Sequence, residues 1–214
     1  MRIISPSLLS ADFSKISDEI RDVEIAGADR IHLDVMDGHF VSALTFGPMI
    51  IKAIRKCTQC HLETHLMIQE PHKTIDQYII AGSDTIIIHL EATSNPEEEL
   101  AYIRSNNVLA GIAINPDTDE NKLLPLLDHL DYILIMSVFP GRGGQLFIPK
   151  ILMKMENIVK MREDRNIVIG VDGGVNLDTI SQVYKTGIDV TIVGSGLFKS
   201  DDIIQRFQDL LNEC

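Results

Sequence analysis

Short apolar runs and amphipathic stretches alternate along this chain from end to end, and no other feature limits its fold as strongly. The apolar runs cover residues 3–7, 30–36, 61–67, 85–89, 109–114, 132–137, 167–172 and 190–194. The amphipathic stretches between and after them cover 12–26, 48–56, 71–81, 95–105, 120–130, 149–165, 177–186 and 201–212. The runs are rich in Ile, Val and Leu with little polar alternation, the pattern of strands buried on both faces in a parallel sheet under helices. Eight such pairs within 214 residues predict one TIM (β/α)8 barrel domain spanning 1–214, an α/β fold, with an open doubly wound sheet as the alternative. Pro48, Pro71, Pro96 and Pro149 stand near expected helix starts, and Gly27, Gly82 and Gly187 where helices should stop. Those glycines sit in related tetrads, Ala26-Gly-Ala-Asp29, Ala81-Gly-Ser-Asp84 and Thr186-Gly-Ile-Asp189, a weak internal periodicity that suits a closed barrel.

Polar residues interrupt the strands at selected places. In the run Ile31-His-Leu-Asp-Val-Met-Asp-Gly-His-Phe40, the two-residue period of a strand puts His32, Asp34 and Met36 on one face. The run Glu63-Thr-His-Leu-Met67 does the same for His65 and Met67, and Asp172 closes Ile167-Val-Ile-Gly-Val-Asp. Imidazole and carboxylate groups inside a fold are costly without a partner, and a divalent metal is one such partner. An enzyme built around a metal held by His32, Asp34, His65 and Asp172 is the reading these residues support. A lone inward histidine is more often a satisfied core residue, so the argument rests on the set. His89 and Glu91 repeat the spacing after the fourth run and read as support for a ligand or as plain structure. Asp37 and His39 orient ligands or cap a turn.

Glycines gather after the last three runs: Phe139-Pro-Gly-Arg-Gly-Gly-Gln145, Gly173-Gly174 and Gly194-Ser195-Gly196. Clustered backbone N–H groups near such glycines bind phosphate, and barrels place that site after strands seven and eight. The net charge of −12 makes a local, backbone-based anion site necessary and argues against nucleic acid or an anionic membrane as partner. No apolar run approaches a membrane span, and the start reads as a strand rather than a signal peptide, so a cytoplasmic protein is expected. Cys57 and Cys60 lack a second pair for a zinc knuckle and read as reduced thiols.

The segments His32-Leu-Asp-Val-Met-Asp-Gly-His-Phe40, His65-Leu-Met67, Met136-Ser-Val138, Pro140-Gly141, Gly143-Gly-Gln145 and Val171-Asp-Gly-Gly-Val175 together resemble the ribulose-phosphate 3-epimerase family. The resemblance runs from Ser5-Pro-Ser-Leu-Leu-Ser-Ala-Asp12 to Gly194-Ser-Gly-Leu-Phe198. It implies an isomerase of the pentose phosphate pathway, epimerising D-ribulose 5-phosphate and D-xylulose 5-phosphate through an ene-diolate, with one divalent metal per chain: zinc, or iron, manganese or cobalt. By that resemblance Asp34 would accept the proton and Asp172 donate it. Ser7 and His65 would contact the sugar. Gly141, Gly143, Gly144, Gly173, Gly174, Gly194 and Ser195 would surround the substrate, and Met36, Met67 and Met136 would wall its reacting carbons. Methionine also fills barrel cores without any such role. A homo-oligomer, dimer or hexamer, is implied as well. The chain departs from the family pattern at Phe139 (usually Asn), Arg142 (usually Phe) and Ser42-Ala43 (usually Pro-Asn). Arg142 meets the phosphate or points into solvent. Another ketose phosphate such as D-allulose 6-phosphate is the nearest alternative substrate. A non-catalytic sugar-phosphate binder and a metal-free barrel isomerase or aldolase are the alternatives from other classes.

Overall fold

A computed structural model describes residues 2–214. Eight strands form one sheet: β1 (Ile3–Pro6), β2 (Arg30–Met36), β3 (His61–Met67), β4 (Thr85–His89), β5 (Leu109–Ile114), β6 (Tyr132–Met136), β7 (Val168–Asp172) and β8 (Val190–Val193). All seven ladders are parallel, in the spatial order β1-β8-β7-β6-β5-β4-β3-β2. The ring is completed between β1 and β2 by a single parallel bridge, Ser7 to His32. The predicted barrel is therefore the observed one, with its seam held by two polar residues.

The helices are α1 (Ile16–Ile25), α2 (Pro48–Arg55), α3 (Ile75–Ala81), α4 (Pro96–Ser105), α5 (Ile151–Arg162), α6 (Ile180–Tyr184), α7 (Ser195–Phe198) and α8 (Ile203–Asn212). They lie on the outer face of the sheet, where the side chains of Ile31, Leu33, Leu62, Leu66, Ile86, Ile88, Ile133 and Ile135 join theirs in one apolar core. Several stretches are shorter than their amphipathic pattern predicts. Asp12 caps a 3-10 turn (Phe13–Lys15) before α1 begins. The stretch expected over 120–130 is 3-10 rather than α, with Pro125 inside it, because proline cannot donate the i→i−4 bond an α-helix needs. The extra α7 was not foreseen.

The tetrad glycines do end helical segments, at φ of 103°, 100° and 91° for Gly27, Gly82 and Gly187. The aspartates that follow two of them share one task. Asp84 Oδ2 accepts from Leu62 N–H and Arg55, and Asp189 Oδ2 accepts from Ile169 N–H and Arg162. The weak periodicity thus marks a repeated brace, helix-end arginine to strand-start aspartate.

The barrel interior is mixed. Ile87, Ala113, Tyr132, Leu134, Met136, Val190 and Ile192 fill one side. Tyr132 fits there because its neighbours lack side chains: a Cβ on Gly111 would stand 2.8 Å from Ile87, and one on Gly170 would overlap the Tyr132 hydroxyl. Polar groups fill the side formed by β1–β4. Arg30 donates to Glu63 at 2.6 Å and Ser5 to Glu63 at 2.8 Å, forming a polar floor beneath His32.

Candidate active site

The register of β2 against β3 pairs Asp34 with His65, and Met36 with Met67. Strand alternation then turns His32, Asp34 and His65 inward, and β7 delivers Asp172 at its last residue. One ligand atom from each of the four residues lies within 4.8 Å of the others. His65 Nδ1 stands 3.2 Å from Asp34 Oδ1, 3.3 Å from His32 Nε2 and 3.9 Å from Asp172 Oδ2. His32 Nε2 is 3.5 Å from Asp34 Oδ1. Ligands about 2.1 Å from a zinc ion at tetrahedral angles lie about 3.4 Å apart, so these separations suit two nitrogens and two oxygens around one small dication. Ser7 Oγ donates to the other Asp34 oxygen at 2.7 Å.

Without a cation the cluster balances charge with a proton. Burial disfavours an imidazolium at His32, yet Asp34 beside it and Glu63 behind it outweigh burial and raise its pKa to about 10. At His65 burial prevails over the Asp34 carboxylate and drives the imidazole down to about 4. The same burial would raise Asp34, but His32 and His65 hold it far below the usual carboxylate range. At Asp172 burial and then the Asp34 carboxylate outweigh the His32 charge and push it up to about 7. Two aspartates a few ångströms apart therefore differ in proton affinity, the separation that acid and base roles require. Their titration belongs to the pair.

Above the cluster opens a narrow cleft. Its wall contains Ser7, Asp34, Met36, Met67, Met136, Gly141, Arg142, Gly143, Gly144, Asp172, Gly173, Gly174, Gly194 and Ser195. His32 and His65 lie fully buried behind it. The structure thus gathers every predicted site residue in one place. The sequence reading omitted Ser10, Val138, Val175 and Ile192, which also line the cleft. It also omitted Gln145 as a brace, whose Nε2 donates to the Phe139 and Arg142 carbonyls. Gly174, at φ 66°, has no room for a side chain: a Cβ would overlap the backbone nitrogen of Phe147. The loops after β6 and β7 consequently pack backbone against backbone.

Asp37 proves to be a turn cap. Its Oδ1 accepts from the His39 and Phe40 N–H groups, and its Oδ2 accepts from Gln69 N–H in the next loop. His39 is an exposed residue of that turn. His89 is fully buried beneath His65, its Nε2 2.9 Å from His65 Nε2 and its Nδ1 3.1 Å from Glu91. Lys199, which lies past the loops in sequence, brings its Nζ back to 3.7 Å from where a Gly144 Cβ would stand.

A profile described as the Ribulose-phosphate 3 epimerase family matches residues 3–198. A ribulose-phosphate 3-epimerase of Bacillus subtilis (strain 168) is 41% identical over 202 residues, covering 93% of each chain. One from Synechocystis sp. is 41% identical over 214 residues, 98% of this chain and 93% of that protein. Among solved structures, KGPDC from Streptococcus mutans superposes with a TM-score of 0.73 at 15% identity, over 100% of this chain and 97% of that one. The 3-hexulose-6-phosphate synthase from Salmonella typhimurium gives 0.75, at 17% identity, over 100% and 98%. The structural likenesses show a shared barrel.

Proposed function

The chain belongs to the ribulose-phosphate 3-epimerase family, and from that membership we propose that it interconverts D-ribulose 5-phosphate and D-xylulose 5-phosphate by two-aspartate proton transfer at C3. The observation that carries the reading is the meeting of Asp34 and Asp172 with His32 and His65 at one cleft, a ligand atom of each within 4.8 Å of the others. His32, Asp34, His65 and Asp172 would hold a divalent metal, zinc or another first-row dication, and their donor set and spacing fit one. Such a metal would supply a Lewis acid to substrate oxygens, lowering the barrier to proton removal by several kcal/mol.

The chain's own groups do the rest. Asp34 is held ionised and oriented by Ser7, and takes the C3 proton. Asp172, on the strand across the cleft, returns a proton to the opposite face of the carbon, the two aspartates titrating as a coupled pair. Met36, Met67 and Met136 offer a low-polarity wall that keeps water from protonating the intermediate. His65 and Ser7 stand where sugar hydroxyls would lie, and Gly141, Gly143, Gly144, Gly173, Gly174, Gly194 and Ser195 bring backbone toward the phosphate end. Arg142 lines the same end and adds a positive charge there, in a chain whose net charge is −12. A homo-oligomer in the cytoplasm completes the reading, and exposed Leu44, Met49 and Ile80 offer apolar surface for such an assembly.

Incubation in D₂O tests the reading directly. The wild type is expected to place solvent deuterium at C3 of either pentulose phosphate. Asp34→Asn and Asp172→Asn should each lose about 10²–10⁴ in kcat. Retention of all C3 hydrogen during turnover would exclude proton transfer. A preference of about a hundredfold in kcat/KM for D-allulose 6-phosphate would move the substrate assignment to the hexose.

A further inference from the structure

We propose that Glu91 determines, through His89, which nitrogen of His65 carries a proton, and so keeps the His65 Nδ1 lone pair free for a divalent cation. The inference rests on the metal reading above and concerns residues outside the four-ligand cluster. His65 Nδ1 faces that cluster, while its Nε2 points away and meets His89 Nε2 at 2.9 Å. A nitrogen–nitrogen contact of that length needs one proton between the rings. Which ring supplies it is decided at the far end of the chain of contacts. His89 Nδ1 lies 3.1 Å from Glu91 Oε2, and an ionised carboxylate can only accept. The proton on that side of His89 is therefore on Nδ1. A neutral His89 then presents a bare Nε2, so His65 must donate from Nε2. That leaves His65 Nδ1 unprotonated, as a metal ligand has to be.

The relay is held at both ends. The second Glu91 oxygen accepts from the Asn115 N–H at 2.8 Å and from the Thr118 hydroxyl. The turn carrying those donors is fastened by Lys154 of α5, whose Nζ donates to the carbonyls of Asn115, Pro116 and Thr118 at 3.1, 2.8 and 2.6 Å. The Phe40 ring lies 4.8 Å from that of His89 and leaves it little freedom to turn over. His65 and His89 have no exposed side-chain surface, whereas 23% of Glu91 is exposed. The relay thus joins a buried ligand to the rim.

The test is Zn²⁺ affinity by chelator competition in wild type, Glu91→Gln and Glu91→Ala. Glutamine is nearly isosteric, but its orientation is dictated. The Asn115 N–H requires the amide oxygen on its side, so the amide NH₂ faces His89 Nδ1 and forces it to accept. The proton of His89 moves to Nε2, His65 Nε2 becomes the acceptor, and the His65 proton settles on Nδ1, where the cation should bind. Alanine instead leaves His89 Nδ1 to water and either tautomer accessible. The order expected is therefore wild type tightest, Glu91→Ala intermediate, and Glu91→Gln weakest by about 10–100-fold. A role in packing alone would reverse the two variants. Thermal unfolding of the metal-free proteins reports their folding, and long-range ¹⁵N–¹H spectra of Zn²⁺-loaded wild type need no variant: protons on His89 Nδ1 and His65 Nε2 are expected. A proton on His89 Nε2, unchanged affinity in Glu91→Gln, or alanine weaker than glutamine would overturn the relay alone. Wild type that binds no Zn²⁺ would overturn the metal reading and the relay with it.

Discussion

Neutralising Glu63 by Glu63→Gln asks whether the polar floor of the barrel is an ion pair that needs both its members. Glu63 has no exposed side-chain surface, and Arg30, 16% exposed, donates to it at 2.6 Å. Ser5 donates to the second oxygen at 2.8 Å, and His32 Nδ1 stands 3.5 Å from it. Removing one partner of a buried pair costs about 3–5 kcal/mol, because the other charge is stranded. The residual exposure of Arg30 favours the lower figure, about 3 kcal/mol. For a chain of this size each kcal/mol moves Tm by roughly 2–4 °C, so Tm should fall by about 6–12 °C. Urea unfolding of the metal-free protein measures the free energy directly. The pH dependence provides a second check. Burial pushes the Glu63 carboxyl up, but His32, Arg30 and Ser5 outweigh it and leave the folded pKa below the ordinary 4.5. A depressed carboxylate contributes its stability above the unfolded pKa and loses it as pH falls through the folded one. The gap between wild type and Glu63→Gln should therefore be full at neutral pH and close at pH below 4.5. The double variant Arg30→Met/Glu63→Leu, which strands neither charge but leaves Ser5 without its acceptor, should recover part of the loss. A single-variant loss below about 1 kcal/mol, or a double variant no better than the single, would refute the reasoning.

Three further outcomes are expected. Arg142→Ala should raise KM with kcat little changed if the guanidinium meets the phosphate, and steady-state kinetics on D-ribulose 5-phosphate decides it. Gly174→Ala combines a positive φ with an overlap on Phe147, and should cost about 1–3 kcal/mol by urea unfolding. Tyr132→Phe should be neutral or stabilising by about 1 kcal/mol in the same assay, since its buried hydroxyl has no hydrogen-bond partner among the described residues.

Much of this molecule was legible because burial and alternation leave marks in sequence. Continuous Ile, Val and Leu runs located all eight strands to within a residue or two, and the two-residue period put His32 beside Asp34 and His65 beside Met67. The same period, read one step backwards, also carries Arg30 and Glu63 onto the inner face; Arg30, the first residue of its strand, reads as an end rather than as interior, and the partner that makes Glu63 tolerable there lies on the neighbouring strand. The 3-10 run with Pro125 retains an amphipathic spacing, so periodicity alone could not tell it from an α-helix. Lys154 was invisible for a different reason. Its partners are main-chain carbonyls of a distant turn, and carbonyls have no sequence identity. Glu91 was seen with His89, but its Asn115 and Thr118 donors come from a loop that only the β4–β5 register brings near.

The single bridge between β1 and β2 has a consequence for how the molecule comes together. Seven junctions of the ring are zipped by ladders, whereas the last is fastened at Ser7 and His32, one of which grips Asp34 while the other belongs to the cluster itself. The cylinder is thus a belt whose buckle is its working part. A ligand that cinches those side chains should slow amide exchange along this join before anywhere else, and strain introduced there would be felt at once as lost chemistry.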